Sequence, residues 1–238
     1  MTKGYFETIL DACKKANKEL SEYLTNLCSY DLAFTGIKGA GGDYMMNIDK
    51  IAEDIFIKYL LKFANIQSEE SGYIKSPNIS NEFLIYLDPI DGSDNLRVGL
   101  PYYGTSIALS IKNKIKLSFI YNLANNTYFY KTPFQNNIKR NNMENNLGIY
   151  ERAYSCTEII PELSDKNLKF RSPGAVSLSI ANTNNYSFFL LHANIRLEDI
   201  SAGLYICEDL NIYQNNKFLL ICKNNSIFNA IKEIIKDI

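Results

Sequence analysis

Apolar residues recur at helical spacing in two stretches near the start of the chain. Over 6–27, Phe6, Ile9, Leu10, Cys13, Ala16, Leu20, Leu24 and Leu27 share one face; over 47–63, Ile48, Ile51, Ala52, Ile55 and Tyr59 do. Both stretches predict amphipathic helices packed on a core, the second capped by Asn47. Between them Lys38-Gly39-Ala40-Gly41-Gly42-Asp43 is a glycine-rich polar break. It reads as a loop joining the helices, or as a lid carrying Lys38 toward an anion. The pattern then shortens to strand length. A short strand is predicted over 65–68, a buried one over 83–87 (Phe-Leu-Ile-Tyr-Leu), a hairpin over 105–111 and 116–121, and a third meander strand over 127–131. The polar segments 73–82, with Pro77, and 135–146, rich in Asn, read as exposed connections.

The second half alternates. Strands are predicted at 147–150, 169–171, 186–191 and 217–222, and helices at 175–181, from Asp199 to about 210, and from Ser226 to the end. Helices alternating with strands around an antiparallel meander predict a layered α/β or α+β sandwich. The expected organisation is one domain over 1–238, with an N-terminal half to 146 and a C-terminal half from 147.

Composition narrows the class. The chain has 238 residues, 25 Lys and Arg against 26 Asp and Glu, and a net charge of −1. That balance argues against a nucleic-acid partner. No signal-peptide pattern or bilayer-length apolar run is present, so no membrane association is expected. Five scattered cysteines without a C-x-x-C pair suit core thiols in a reducing compartment, which points to the cytoplasm.

Candidate chemistry concentrates in Asp88-Pro89-Ile90-Asp91-Gly92-Ser93-Asp94-Asn95, directly after the buried strand. Pro89 removes a donor, so the strand cannot simply continue. Gly92 permits a tight turn, and Ser93 can start a helix. Carboxylates at a strand end can hold a hard cation, and free N–H groups at a helix start can hold a phosphate. Asp49, in the first turn of the second helix, either complements the helix dipole or aims a carboxylate into a site. The lone His192 lies in no phosphatase motif, and neither a Cys-x5-Arg loop nor a P-loop is present.

Taken in order, Glu69-Glu70-x-Gly72, Asp88-Pro-Ile-Asp91-Gly-Ser-x-Asn95 and Asp199-x-x-Ala202-Gly203 resemble the inositol monophosphatase family over nearly the whole chain. The Lys38–Asp43 stretch and the short length are most similar to its archaeal branch, whose enzymes commonly act on both inositol monophosphate and fructose-1,6-bisphosphate. The resemblance implies an αβαβα sandwich, a homodimer, and two or three Mg2+ per site, with Mn2+ as a substitute. It implies that Glu69, Asp88 and the Ile90 carbonyl hold one cation, and that Asp88, Asp91 and Asp199 hold a second, with a looser third near Glu69. Asp49 and Ser93 would orient the attacking water, and the N–H groups of Gly92 and Ser93 would hold the phosphate. Lys38, Arg171, Gly174, Ala175 and Arg196 are expected around the substrate, although each arginine reads equally as a surface salt bridge.

Three departures stand out. Ser93 replaces the family's threonine, Glu198 stands where many members carry tryptophan, and Glu208-Asp209-Leu210-Asn211 replaces a Glu-Ala-Gly-Gly turn. The partner expected from all this is a small phosphorylated sugar or inositol. A nucleotide-type phosphatase acting on 3'-phosphoadenosine phosphate or NADP, and a non-catalytic regulator that binds metal and phosphate, are the alternatives.

Overall fold

The computed structural model describes residues 1–139, 145–236 and 238. The loop expected over 135–146 therefore lies partly outside the described residues. In chain order the first half contains α1 (Lys3–Leu24), β1 (Phe34–Lys38), β2 (Tyr44–Met46), α2 (Asn47–Leu60), β3 (Asn65–Ser68), β4 (Gly72–Ile74), β5 (Phe83–Asp91), α3 (Ser93–Val98), β6 (Gly104–Ile111), β7 (Lys114–Asn122) and β8 (Thr127–Lys131). The second contains β9 (Leu147–Glu151), α4 (Ile160–Asp165), β10 (Lys169–Arg171), α5 (Val176–Ala181), β11 (Phe189–His192), α6 (Leu197–Ile206), β12 (Asn211–Gln214), β13 (Phe218–Cys222) and α7 (Asn225–Ile235).

Beside the small β1–β2 sheet, two large sheets organise the described strands. A six-stranded sheet runs β4-β3-β5-β6-β7-β8, and a five-stranded sheet runs β10-β9-β11-β13-β12. β3 lies parallel to β5, and β9 lies parallel to both β10 and β11. Strand alternation sorts each sheet's side chains into two layers. Ile107 and Leu109 join the core beneath α1 and α2, while Ala108 faces the layer between the sheets. Phe189 and Leu191 meet α5 and α6 in that middle layer, whereas Phe188 and Leu190 turn toward α7. The result is helices, sheet, helices, sheet, helices: the αβαβα sandwich expected from the motifs. Among the described residues no helix is long and apolar enough to cross a membrane.

Several local expectations are corrected. The glycine-rich break is the tip of an antiparallel β1–β2 hairpin rather than a plain inter-helix loop. Met46, not Asn47, occupies the N-cap of α2, and Asp49 Oδ2 accepts its N–H at 2.7 Å. α6 starts at Leu197, so Asp199 lies within its first turn. The same helix ends at Ile206 rather than near 210, and residues 208–210 lead into β12, which pairs with β13.

The middle layer depends on close contact between α5 and α6. A Cβ at Gly203 would lie 2.4 Å from Ile180 Cγ2. Gly203→Ala is expected to destabilise the protein by about 1–3 kcal/mol through overpacking, read as a lower urea midpoint. An unchanged midpoint would show that the two helices can separate without loss.

Candidate active site

β5 pairs regularly with β6 as far as Asp88, opposite Ser106, and the register then shifts before Asp91 meets Gly104. This irregularity falls at Pro89, which has no N–H to give the ladder. Ile90 N donates to Asp88 Oδ1 at 3.0 Å. Asp91 turns instead to the second half of the chain. Its Oδ1 accepts Val176 N at 2.8 Å, and its Oδ2 accepts Ser177 N at 2.8 Å, Leu178 N at 3.2 Å and the Ser177 hydroxyl. Asp91 thus satisfies the first turn of α5, whose free N–H groups need acceptors. Gly92 follows with φ 86°, and a Cβ there would lie 3.0 Å from Ala175 Cβ and 3.1 Å from the carbonyls of Gly174 and Tyr102. Both the dihedral and the space call for glycine. Asn95 then donates from Nδ2 to the carbonyls of Tyr102 and Pro173, each at 2.7 Å, tying α3 to the loop before α5.

Because β3 and β5 are parallel neighbours, their C-terminal ends open at the same edge. Glu69 N donates to Leu87 O at 3.0 Å, which sets Glu69 beside Asp88. Asp199 arrives from α6. One oxygen from each of Glu69, Asp88 and Asp199 lies within 4.8 Å of the others. Asp199 Oδ1 and Asp49 Oδ1 are buried, and neither finds a hydrogen-bond partner among the described residues. Nor does a hydrogen bond join Asp49 to Ser93, although both line the same cavity.

Burial dominates the electrostatics here. It pushes Glu69 up to about 7, helped by the Asp199 charge and opposed by Arg196. Glu70 rises to about 8 through burial and the nearby Asp49 charge. Burial raises Asp91 to about 7 against the Ser177 hydrogen bond, and Asp49 to about 6. Burial and the neighbouring Glu69 charge hold Asp88 well above the ordinary range. The folded, cation-free protein therefore keeps protons that the unfolded chain releases near pH 4. Folding stability from these groups is present below about pH 4 and is lost between about pH 4 and 8. With EDTA the melting temperature should be several degrees lower at about pH 8 than at about pH 5.5. Mg2+ should remove the difference; a flat profile in EDTA would contradict the cluster's charge.

The cavity around these groups has a volume of about 940 Å³. Asp49, Glu69, Asp88, Ile90, Asp91, Gly92, Ser93, Gly174, Arg196 and Asp199 all line it. Ala175 is buried behind it, with its methyl toward Gly92. Lys38 and Arg171 are not part of the lining. Lys38 Nζ sits 5.2 Å from the Tyr44 ring centroid, and exposed Arg171 folds back onto the Phe170 carbonyl at 2.8 Å. Arg196 is held by ion pairs to Glu69, Asp199 and Asp43.

Sequence reasoning passed over other lining residues: Glu70, Glu151, Arg152, Ser155 and Lys217, with His192 left without a definite place. Glu151 is buried, accepting Ser179 Oγ and Gly174 N, and so fixes the loop that faces Gly92. A charged residue closing the apolar run Leu147–Tyr150 was its available signal. His192 Nδ1 lies 2.8 Å from Ser155 Oγ, and burial lowers its pKa. Arg152 has φ 56° and no sequence cue for that conformation.

Comparison with known proteins places this geometry in context. The inositol monophosphatase family model matches residues 5–210. A fructose-1,6-bisphosphatase/inositol-1-monophosphatase of Methanocaldococcus jannaschii is 27% identical over 209 residues, covering 82% of this chain and 79% of that protein. The Nus factor SuhB of Haemophilus influenzae is 33% identical over 90 residues, 37% of this chain and 33% of its own. The crystal structure of the extragenic suppressor protein SuhB from Bartonella henselae superposes with a TM-score of 0.79 at 19% identity, covering 99% of this chain and all of that one (100%). The chain belongs to the inositol monophosphatase family.

Proposed function

We propose that the protein is a Mg2+-dependent phosphomonoesterase of small sugar or inositol phosphates, with fructose-1,6-bisphosphate and inositol-1-phosphate as its substrates. The observation that carries this reading is the convergence of Glu69, Asp88 and Asp199, with Asp199 Oδ1 buried and unpartnered. An all-oxygen donor set of this kind fits a hard divalent cation. Glu69, Asp88 and the Ile90 carbonyl would hold one ion; Asp88, Asp199 and the remaining lone pairs of Asp91 would hold a second. Bound there, Mg2+ neutralises phosphate charge, acidifies a water and stabilises the leaving oxygen; Mn2+ can do the same.

The chain's own groups do the rest. Asp49 Oδ1, free of partners among the described residues, is open to accept a hydrogen bond from a water, and Ser93 lines the same cavity. Together they orient the attacking water. The N–H groups of Gly92 and Ser93 hold the phosphate in line. Elsewhere in the lining Arg152, His192 and Lys217 provide polar contacts for hydroxyls or a second phosphate, the task that Lys38 and Arg171 are not placed to perform. A cytoplasmic homodimer is part of the same reading, and light scattering measures the dimer.

The test is a phosphate-release panel with Mg2+ over fructose-1,6-bisphosphate, inositol-1-phosphate, 3'-phosphoadenosine phosphate and NADP. Either of the first two should exceed both nucleotides in kcat/KM by about tenfold or more, equivalent to about 1.4 kcal/mol of transition-state discrimination. Preference for a nucleotide would move the substrate class. Mg2+ binding without release from any substrate would favour the non-catalytic regulator, a reading to which the partial match with Nus factor SuhB lends weight.

A further inference from the structure

Arg196 is the side chain through which three separate segments meet. Its Nη2 reaches Glu69 Oε1 at 2.8 Å and its Nε donates to Asp199 Oδ2 at 3.1 Å. Its Nη1 donates to the Gly41 carbonyl at 3.0 Å and to Asp43 Oδ2 at 3.2 Å. Two of the three converging carboxylates are thus pinned by one guanidinium, whose planar fork suits such bidentate work. The same group grips the tip of the β1–β2 hairpin. The tip is also held by backbone bonds from Ala40 N to Glu70 O and from Gly41 N to Glu69 O, each 2.8 Å. A Cβ at Gly41 would lie 2.5 Å from Arg196 Nη1 and 2.7 Å from Glu69 Cγ, so the approach is open only to glycine.

We propose that Arg196 is a resident cation of the carboxylate cluster, one that competes with divalent cations for the Glu69–Asp199 edge and couples their binding to release of the hairpin tip. The proposal rests on the reading of Glu69, Asp88 and Asp199 as a cation site. Like charges cannot share the same two carboxylates at contact distance without strong repulsion. A divalent ion bound through the free Asp199 Oδ1 would repel the guanidinium held on Glu69 Oε1 and Asp199 Oδ2 and loosen its grip. Gly41 O and Asp43 would then be tethered less firmly, with the backbone bonds to Glu69 and Glu70 remaining. Binding and tip docking are linked equilibria, so each must weaken the other by the same factor.

The experiment is a Mn2+ titration of EDTA-stripped protein, counting free ion by electron paramagnetic resonance, together with hydrogen exchange of the amides of 39–43. Wild type should bind Mn2+, and exchange at the tip should rise as it does. Arg196→Gln should bind Mn2+ about tenfold tighter, within the usual range of coupling between sites. Its tip should exchange fast without Mn2+ and respond little to it. Arg196→Lys, which keeps the charge, should stay near wild type in affinity. Asp43→Asn removes only a tip tether and should speed tip exchange while shifting Mn2+ affinity less than Arg196→Gln does. Equal or weaker Mn2+ binding by Arg196→Gln overturns the competition, as does wild-type tip exchange that ignores Mn2+. Absence of Mn2+ binding in wild type would instead sink the cation site and this inference with it.

Discussion

Replacing Asp88 with asparagine is expected to abolish phosphate release while making the cation-free protein more stable. Asp88 is buried, and its neighbours Glu69 and Asp199 contribute ligand oxygens to the same 4.8 Å cluster. Asparagine matches its shape and keeps an oxygen to accept the Ile90 N–H now given to Asp88 Oδ1. Asparagine also spares the fold the cost of keeping a proton at a place where burial and Glu69 oppose ionisation. In EDTA near neutral pH the variant should unfold at a higher urea concentration than wild type. With Mg2+ the loss of this proposed ligand should weaken transition-state charge stabilisation by several kcal/mol, a fall of about 10³-fold or more in kcat/KM. Opposite signs for stability and activity mark a functional carboxylate. Retained release, or a lower midpoint in EDTA, would remove Asp88 from the centre of the site.

Asp91→Ala is expected to act mainly on the fold. The Asp91 carboxylate receives three backbone N–H groups and one hydroxyl from the first turn of α5, all from the other half of the chain. Alanine leaves those donors facing a void. Each unsatisfied buried donor costs about 1–3 kcal/mol, with some relief from entering water, so the loss should reach about 4 kcal/mol. Denaturant unfolding measures it through the midpoint. Asp91→Asn keeps one acceptor but turns an amide N–H2 toward other donors, and should recover only part of the loss. A cost under about 1 kcal/mol for the alanine variant would mean that α5 is positioned by packing alone.

The strands and helices that bury one face were plain in the sequence. The strand read over 127–131 as a meander extension is β8 at its observed bounds, and the apolar face of α2 came from Ile48, Ala52 and Ile55. The β1–β2 hairpin was not visible because most of its residues are exposed, so neither strand carries the alternation that burial imposes. Arg196 illustrates a different limit. Its partners lie at positions 41, 43, 69 and 199, and only Asp199 is near in sequence. A pairing made by the meeting of a hairpin, a strand end and a helix leaves no local mark. Lys38 and Arg171 failed as cavity residues for a related reason. On a short, exposed strand a one-residue change of face moves a side chain from the site to solvent. Asp88 stood out because a carboxylate ending an apolar run conflicts with simple packing, and such conflicts collect at sites of chemistry; Glu69 and Asp199, which carry no such mark alone, were legible only through the family resemblance.

The grip of Asp91 on α5 spans 85 residues between Asp91 and Val176. During synthesis the first sheet leaves the ribosome with Asp88 and Asp91 already at the C-terminal end of β5, long before Asp199 or the donors of α5 exist. A half-made chain thus holds an acidic rim without its counterweights and lacks the third carboxylate of the cluster. On the proposed reading hydrolytic competence would belong to the finished molecule, and truncated products of translation should release no phosphate.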